Sequence, residues 1–128
     1  QIKKAIGDEY GKDSVVSIYG EDSVNVRKDA VESFQRNDRC RFLVGNPTVG
    51  GYGLTLTAAR YVIYFSNSYN LEVRQQSEDR AHRIGQGAKV TYIDLIVNKS
   101  IDEMILGSLE GKIEISAKTL GEEAQKWL

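Results

Sequence analysis

Two arginines three residues apart, Arg80 and Arg83, stand in the run Gln75-Gln76-Ser77-Glu78-Asp79-Arg80-Ala81-His82-Arg83-Ile84-Gly85-Gln86. A guanidinium is planar, permanently charged and presents its N–H donors as a fork. Two of them aimed the same way suit a polyanion such as a triphosphate. Residues three and four apart are neighbours on a helix. The spacing therefore predicts a helix from about Leu71 to His82, with Gln76, Arg80 and Arg83 on one face and Gly85 ending it. A plainer reading assigns these residues no chemistry: a solvated helix on which Glu78 and Asp79 balance the arginines.

A second stretch can also meet an anion. Gly50-Gly51-Tyr52-Gly53 follows a strand-like segment. Glycines there let backbone N–H groups approach a phosphate closely. The same glycines also suit a tight strand-to-helix turn that needs positive φ. The residues alone leave both readings open.

The elements that must position these stretches alternate. Residues 1–10 read as the tail of a helix, with Ile2 and Ile6 one turn apart and Gly11 after it. Val15–Tyr19 reads as a strand closed by Gly20. Asp22 or Ser23 caps a helix whose apolar stripe is Val26, Ala30 and Phe34. Arg41–Val44 and Tyr61–Phe65 are further strands. The second is apolar on both faces, as parallel strands covered on both sides are. Val90–Val97 is a fourth. Ser100-Ile101-Asp102-Glu103 has the capping-box form and opens a last helix on which Ile101, Ile105 and Leu109 face the sheet. Gly107 and Gly111 mark either close packing or a break in it. From Gly121 the chain is a polar tail, with Trp127 in need of an apolar contact. Four alternations of helix and strand predict an α/β domain of three layers with a mainly parallel sheet, whose ligands meet the carboxyl ends of the strands.

Composition narrows the function classes. The 128 residues, 41% hydrophobic and 27% charged, describe one globular domain with a single core. The net charge of −1 gives no global basic field, so any nucleic-acid contact must be local. One cysteine, Cys40, excludes an internal disulfide and suits a reducing compartment, and with one histidine there is no zinc set. No apolar run reaches the 18 or so residues of a membrane span. The first residue is Gln1 rather than Met, which leads to the expectation of a fragment of a longer protein. There is no G-x-x-x-x-G-K-[ST], hence no phosphate-loop lysine and no Mg²⁺-binding hydroxyl. Asp8-Glu9 and Asp102-Glu103 are not at the end of an apolar strand and read as structural acids, the second pair in a helix first turn favoured by the dipole.

The wording of the run from Gln76 resembles motif VI of the Swi/Snf-type DNA translocases, helicase-like ATPases of superfamily two. Val49-Gly50-Gly51-Tyr52-Gly53-Leu54-Thr55-Leu56 resembles their motif V, with Val49 and Thr55 where Ala and Asn are common, and Asn46-Pro47-Thr48 where Ser-Thr-Lys is usual. Phe65–Asn70 is similar to the segment between the two motifs, with Tyr69 for Trp and Leu71 for Pro, which points to a bacterial or phage-type branch and so to a cytoplasmic protein. Val15–Gly20 with Arg27 and Phe34 is similar to motif IV and its helix. The resemblance spans residues 14–110, between an incomplete leading helix (1–13) and a C-terminal extension (111–128).

The resemblance implies a RecA-like second helicase domain. ATP would lie in a cleft shared with a first RecA-like domain of the same polypeptide, which supplies the phosphate loop and holds Mg²⁺. Arg80 and Arg83 would act as arginine fingers, Gln76 would order the γ-phosphate side, and Gly51, Gly53 and Asp79 would lie near the nucleotide. Thr48, Gly50 and Thr55 would touch the backbone of double-stranded DNA. His82 corresponds to a structural or coupling position rather than a base. The alternative is a non-catalytic RecA-like adaptor that binds nucleic acid or protein. A flavodoxin-like receiver domain fits the α/β alternation but not the paired arginines. Because the phosphate loop and Mg²⁺ ligands are missing, the purified 128-residue chain is expected to show no ATP hydrolysis above background. Multiple-turnover hydrolysis that a point mutation within the chain abolishes would contradict this.

Overall fold

The computed structural model describes residues 1–50 and 53–120. The predicted tail from Gly121, with Trp127, lies outside them. The described backbone forms two compact units. The first comprises Gln1–Arg60 and Gln76–Val90, the second Tyr61–Gln75 and the chain from Thr91.

In the first unit α1 (Ile2–Tyr10) leads through one 3-10 turn into β1 (Val15–Ile18), followed by α2 (Val24–Arg36) and β2 (Phe42–Gly45). β1 and β2 are parallel, in the register Val15 to Phe42 through Ile18 to Gly45. Each element starts where the local chemistry allows. Gly11 takes φ 93° after α1, a conformation that a side chain disfavours. Ser23 caps α2, its Oγ accepting from the Val26 N–H at 3.3 Å. Both helices pack on β1, whose Val15 and Ile18 are buried with Ala30 of α2 and Cys40. Of the predicted stripe on α2, Ala30 is buried while Val26 is exposed. Burial pushes the Cys40 thiol up, against the lowering effect of its hydrogen bonds to the Val16 and Phe42 backbone.

The second unit contains β3 (Tyr61–Tyr64), most of α3 (Leu71–Glu78), β4 (Thr91–Asp94) and α4 (Ile101–Leu120). β3 and β4 are parallel, Tyr61 opposite Thr91 and Tyr64 opposite Asp94. The described hydrogen bonds thus make two parallel ladders of two strands each. Both described strand pairs are parallel, as the sequence pattern predicts, and an α-helix lies between the two strands of each pair; between β2 and β3 stands, among the described residues, only the 3-10 turn Pro47–Gly50.

β3 corrects one expectation. Its apolar run is not covered on both faces within the described residues: Tyr64 is buried, but Tyr61 and Ile63 are 67% and 59% exposed. Successive strand side chains point to opposite faces, and what covers Tyr64 is a polar group. The Arg74 guanidinium lies 3.7 Å from the centre of its ring. Arg74 also holds Asp94 through both oxygens, Nη2 to Oδ2 at 3.1 Å. Asn67 completes the cluster, donating to Asp94 Oδ1 at 2.7 Å and accepting from Arg74 Nη1 at 2.9 Å. Asn70 starts α3 by accepting from the Val73 N–H at 3.2 Å.

α4 also departs from expectation in detail. Ile105 and Leu109 are buried, but Ile101 is 61% exposed. Ser100 Oγ accepts from the Asp102 N–H, and Glu103 accepts from the Lys99 N–H rather than from Ser100, so the box is shifted by one residue. The helix runs through Gly107 and Gly111, and a Cβ at either would meet open space. They mark neither a break nor a close contact.

The Arg74–Asp94 pair generates a prediction. Burial alone would raise the Asp94 carboxyl, but hydrogen bonds from Arg74 and Asn67 and the guanidinium charge outweigh it and hold the carboxyl below its ordinary value of 3.8. A depressed carboxyl stabilises the fold above its unfolded-state value. That contribution begins to fade as pH falls past about 4 and is lost below the folded-state value. Removing one partner leaves the other charge poorly solvated, so Arg74→Ala is expected to cost about 3 kcal/mol. Acid unfolding monitored by circular dichroism should lose its dependence on pH near 4 in an Arg74→Met, Asp94→Leu double variant. An unchanged acid limb would remove this pair as its source.

Candidate nucleotide-facing site

The predicted helical face does not carry the arginines. α3 ends at Glu78, and Arg80 and Arg83 stand on the turns that follow. The physical reason is a competing donor. In a continuing helix the Arg80 carbonyl would receive the N–H four residues on. Here it receives the Leu56 N–H at 2.8 Å. The turn is closed by the Ala81 and His82 N–H groups, both donating to the Glu78 carbonyl at 3.1 and 3.0 Å. Gly85, at φ 100°, then lets the Gln86 N–H return to the Arg83 carbonyl at 2.9 Å. It ends a turn, not a helix.

Both arginines reach the loop that precedes β3. Arg80 Nη2 donates to the Pro47 carbonyl at 2.8 Å. Arg83 Nη1 donates to the Gly53 carbonyl at 2.9 Å and to Thr55 Oγ1 at 3.3 Å. Gly53 has φ 37°, and a Cβ built on it would come within 3.8 Å of Arg83 Nη1. The two sequence motifs, 20 or more positions apart, are therefore one structure in the first unit.

The other predicted site residues are placed unevenly. Thr48 is exposed on the 3-10 turn Pro47–Gly50, and its N–H and hydroxyl both donate to Asn46 Oδ1, at 3.0 and 2.8 Å. Gly50 closes that turn. Gly51 lies outside the described residues. Gln76 is exposed in the last turn of α3 and Asp79 is exposed just beyond it, and no described hydrogen bond joins Asp79 to the loop.

Four residues to which the sequence reading gave no role help hold the site. Gln35 of α2 accepts from the Ala58 N–H at 2.7 Å and donates to Thr57 Oγ1 at 3.1 Å. Gln86 donates to the carbonyls of Ala59 and Ala81 and accepts from Arg60. Ala81, next to Arg80, is almost wholly buried, as is Ala59. Only the small, apolar character of Ala59 and Ala81 beside the motifs hinted at this packing.

A domain with alternating helices and parallel strands, presenting guanidinium groups on a glycine-rich loop, is of the helicase C-terminal, RecA-like class. Residues 2–85 match the family described as the helicase conserved C-terminal domain, and the chain belongs to that family. It is 41% identical over 107 residues to the human chromatin-remodeling ATPase INO80, covering 83% of this chain and 7% of that protein. It is 33% identical over 117 residues to the ATP-dependent helicase fft2 of Schizosaccharomyces pombe, covering 90% and 9% respectively. The human DNA annealing helicase and endonuclease ZRANB3 matches at 33% over 115 residues, 90% of this chain and 11% of that one. Among solved structures, the C-terminal part of the Fun30 ATPase domain superposes with a TM-score of 0.76 at 28% identity, over 84% of this chain and 34% of that one. The chain thus spans about a tenth of the length of these curated relatives. The relatives are of the Swi/Snf-type, helicase-like kind that the motifs resemble. They are human and yeast proteins, so the expectation of a bacterial or phage branch, drawn from Tyr69 and Leu71, finds no support. The cytoplasmic expectation stood on the same ground and goes with it. Among the described residues no helix is long and apolar enough to cross a membrane.

Proposed function

We propose that this chain is the second motor domain of an ATP-dependent DNA translocase or helicase, and that Arg80 and Arg83 act as arginine fingers in an ATP site shared with a first RecA-like domain. The observation that carries the reading is the meeting of both guanidiniums on the glycine-rich loop. A loop and a turn from distant parts of the sequence are joined by two guanidiniums. The fit to a triphosphate is chemical. Arg83 engages one of its nitrogens, and its partners are a carbonyl and a hydroxyl. Neutral partners leave the charge uncompensated and available to an incoming anion, whereas a carboxylate would have neutralised it.

No group of three or more metal-ligating side chains lies together among the described residues. A cationic donor set suits the phosphates and not the metal, so Mg²⁺ is assigned to the first domain. Gln76 and Asp79, exposed at the end of α3 and on the next turn, are proposed to approach the γ-phosphate side when the two domains close. In this role the arginines bind oxygens of the transferring phosphoryl group and stabilise the charge that develops there.

The DNA contact is proposed for the same loop, at the exposed Thr48 and Thr55 and at Gly50. A phosphate oxygen only accepts, so Thr48 would meet it by turning its hydroxyl proton away from Asn46 Oδ1. A contact to phosphate oxygens carries no sequence information. With a net charge of −1 the isolated chain is expected to bind duplex DNA weakly and without sequence preference. A titration at two salt concentrations checks this, and tight, sequence-selective, salt-insensitive binding would refute it.

The arginines are tested in the full-length parent. Arg80→Ala or Arg83→Ala is expected to lower DNA-stimulated kcat by on the order of 10²–10⁴, with a much smaller change in nucleotide affinity, because the interaction strengthens in the transition state. Lysine at either position should not rescue, since a point charge cannot reproduce the planar fork. Turnover, nucleotide titration and thermal melting decide the matter together. Near-normal turnover in Arg83→Ala takes Arg83 out of the site.

A further inference from the structure

We infer that Gln86 is a positioning residue that sets where Arg80 and Arg83 stand, an inference that rests on the arginine-finger reading above. Its carboxamide has two N–H donors and an oxygen that accepts two bonds. All four places are used. Nε2 donates to the Ala59 carbonyl at 3.1 Å and to the Ala81 carbonyl at 3.0 Å. Oε1 accepts from Arg60 Nη1 at 3.2 Å and from the Ala88 N–H at 3.1 Å.

These four partners belong to the two segments that make the site. Ala59 and Arg60 end the glycine-rich loop segment. Ala81 sits between the two arginines, and Ala88 continues the chain beyond the turn. One side chain therefore fastens the loop to the turn and the turn to its own exit. Ala59 and Ala81 are 8% and 2% exposed, so their carbonyls have little access to water. Without Gln86 each must find another donor, and the turn that carries Arg80 and Arg83 must shift to provide one. Near the reacting atoms, a displacement on the order of 1 Å costs up to about 10²-fold in rate. Gln86 reaches no anion itself, because both its N–H groups are spent. Its effect is exerted through the arginines.

Two substitutions separate positioning from bulk. Gln86→Leu removes all four bonds at similar volume. Gln86→Glu keeps the acceptor for Arg60 and Ala88 but turns a carboxylate oxygen toward two carbonyls. Both are made in the full-length parent beside Arg83→Ala, with DNA-stimulated turnover, KM for ATP and thermal melting measured for each. Affinity is also measured for ADP alone and for ADP with aluminium fluoride as a transition-state mimic. The expected result is a kcat lowered on the order of tenfold or more in both Gln86 variants, with KM and ADP affinity within about twofold. Affinity for the aluminium fluoride complex should fall in step with kcat. A merely structural role would lower melting temperature and leave the kcat of the folded fraction intact, and that result overturns the inference. Should Gln86→Leu fail to fold, Gln86→Glu decides by the same criteria. Normal kcat in both Gln86 variants while Arg83→Ala collapses overturns the inference alone. Normal kcat in Arg83→Ala overturns the finger reading and this inference with it.

Discussion

The Leu56 N–H donated to the Arg80 carbonyl is the bond on which the site depends. A helix carbonyl has one obvious partner, the N–H four residues later. Once the loop supplies a different donor, the helix has no reason to continue, and α3 stops two residues before Arg80. The arginines then leave the regular spacing of a helix and take positions dictated by the loop. Arg83 bonding to Gly53 and Thr55, and Arg80 to Pro47, follow from that one exchange.

Polar side chains do most of the fixing around this bond because the loop has little else to offer. Glycines and threonines bury small areas, and hydrophobic stabilisation scales with area. Gln35 and Gln86 each use both ends of a carboxamide to join segments that are distant in sequence. A neutral amide costs less to bury than a charge and can donate and accept at once. The second unit solves a similar problem with charges. Arg74, Asp94 and Asn67 satisfy one another over the ring of Tyr64, and the pair is stable there because the carboxylate accepts through both oxygens.

The choice between neutral partners and an ion pair bears on the proposed function. The Arg83 charge is met by neutral oxygens that do not compensate it, which the proposed contact with a triphosphate requires. Arg74 is matched by a carboxylate and has little left to give an incoming anion. Two arginines within ten residues of each other thus differ in how far their charge is compensated, Arg74 being largely buried against a carboxylate and Arg83 exposed beside neutral oxygens.

Much was legible in the chain by itself. The alternation of apolar runs and helix signals located the elements to within a few residues, because burial periodicity and caps are local properties. Ser23, Gly11 and the acids of α4 acted at their own helix ends. The motif wording marked the loop and the arginines as one functional set. The tertiary structure alone decided how they meet. Nothing local in Glu78-Asp79-Arg80 stops a helix, since the donor that stops it comes from Leu56, more than twenty residues away. The same is true of the face of β3 that stays exposed and of the partners of Arg74. A sequence shows which groups need partners, but which partner wins is a matter of distance, and distances between remote segments exist only once the chain has folded.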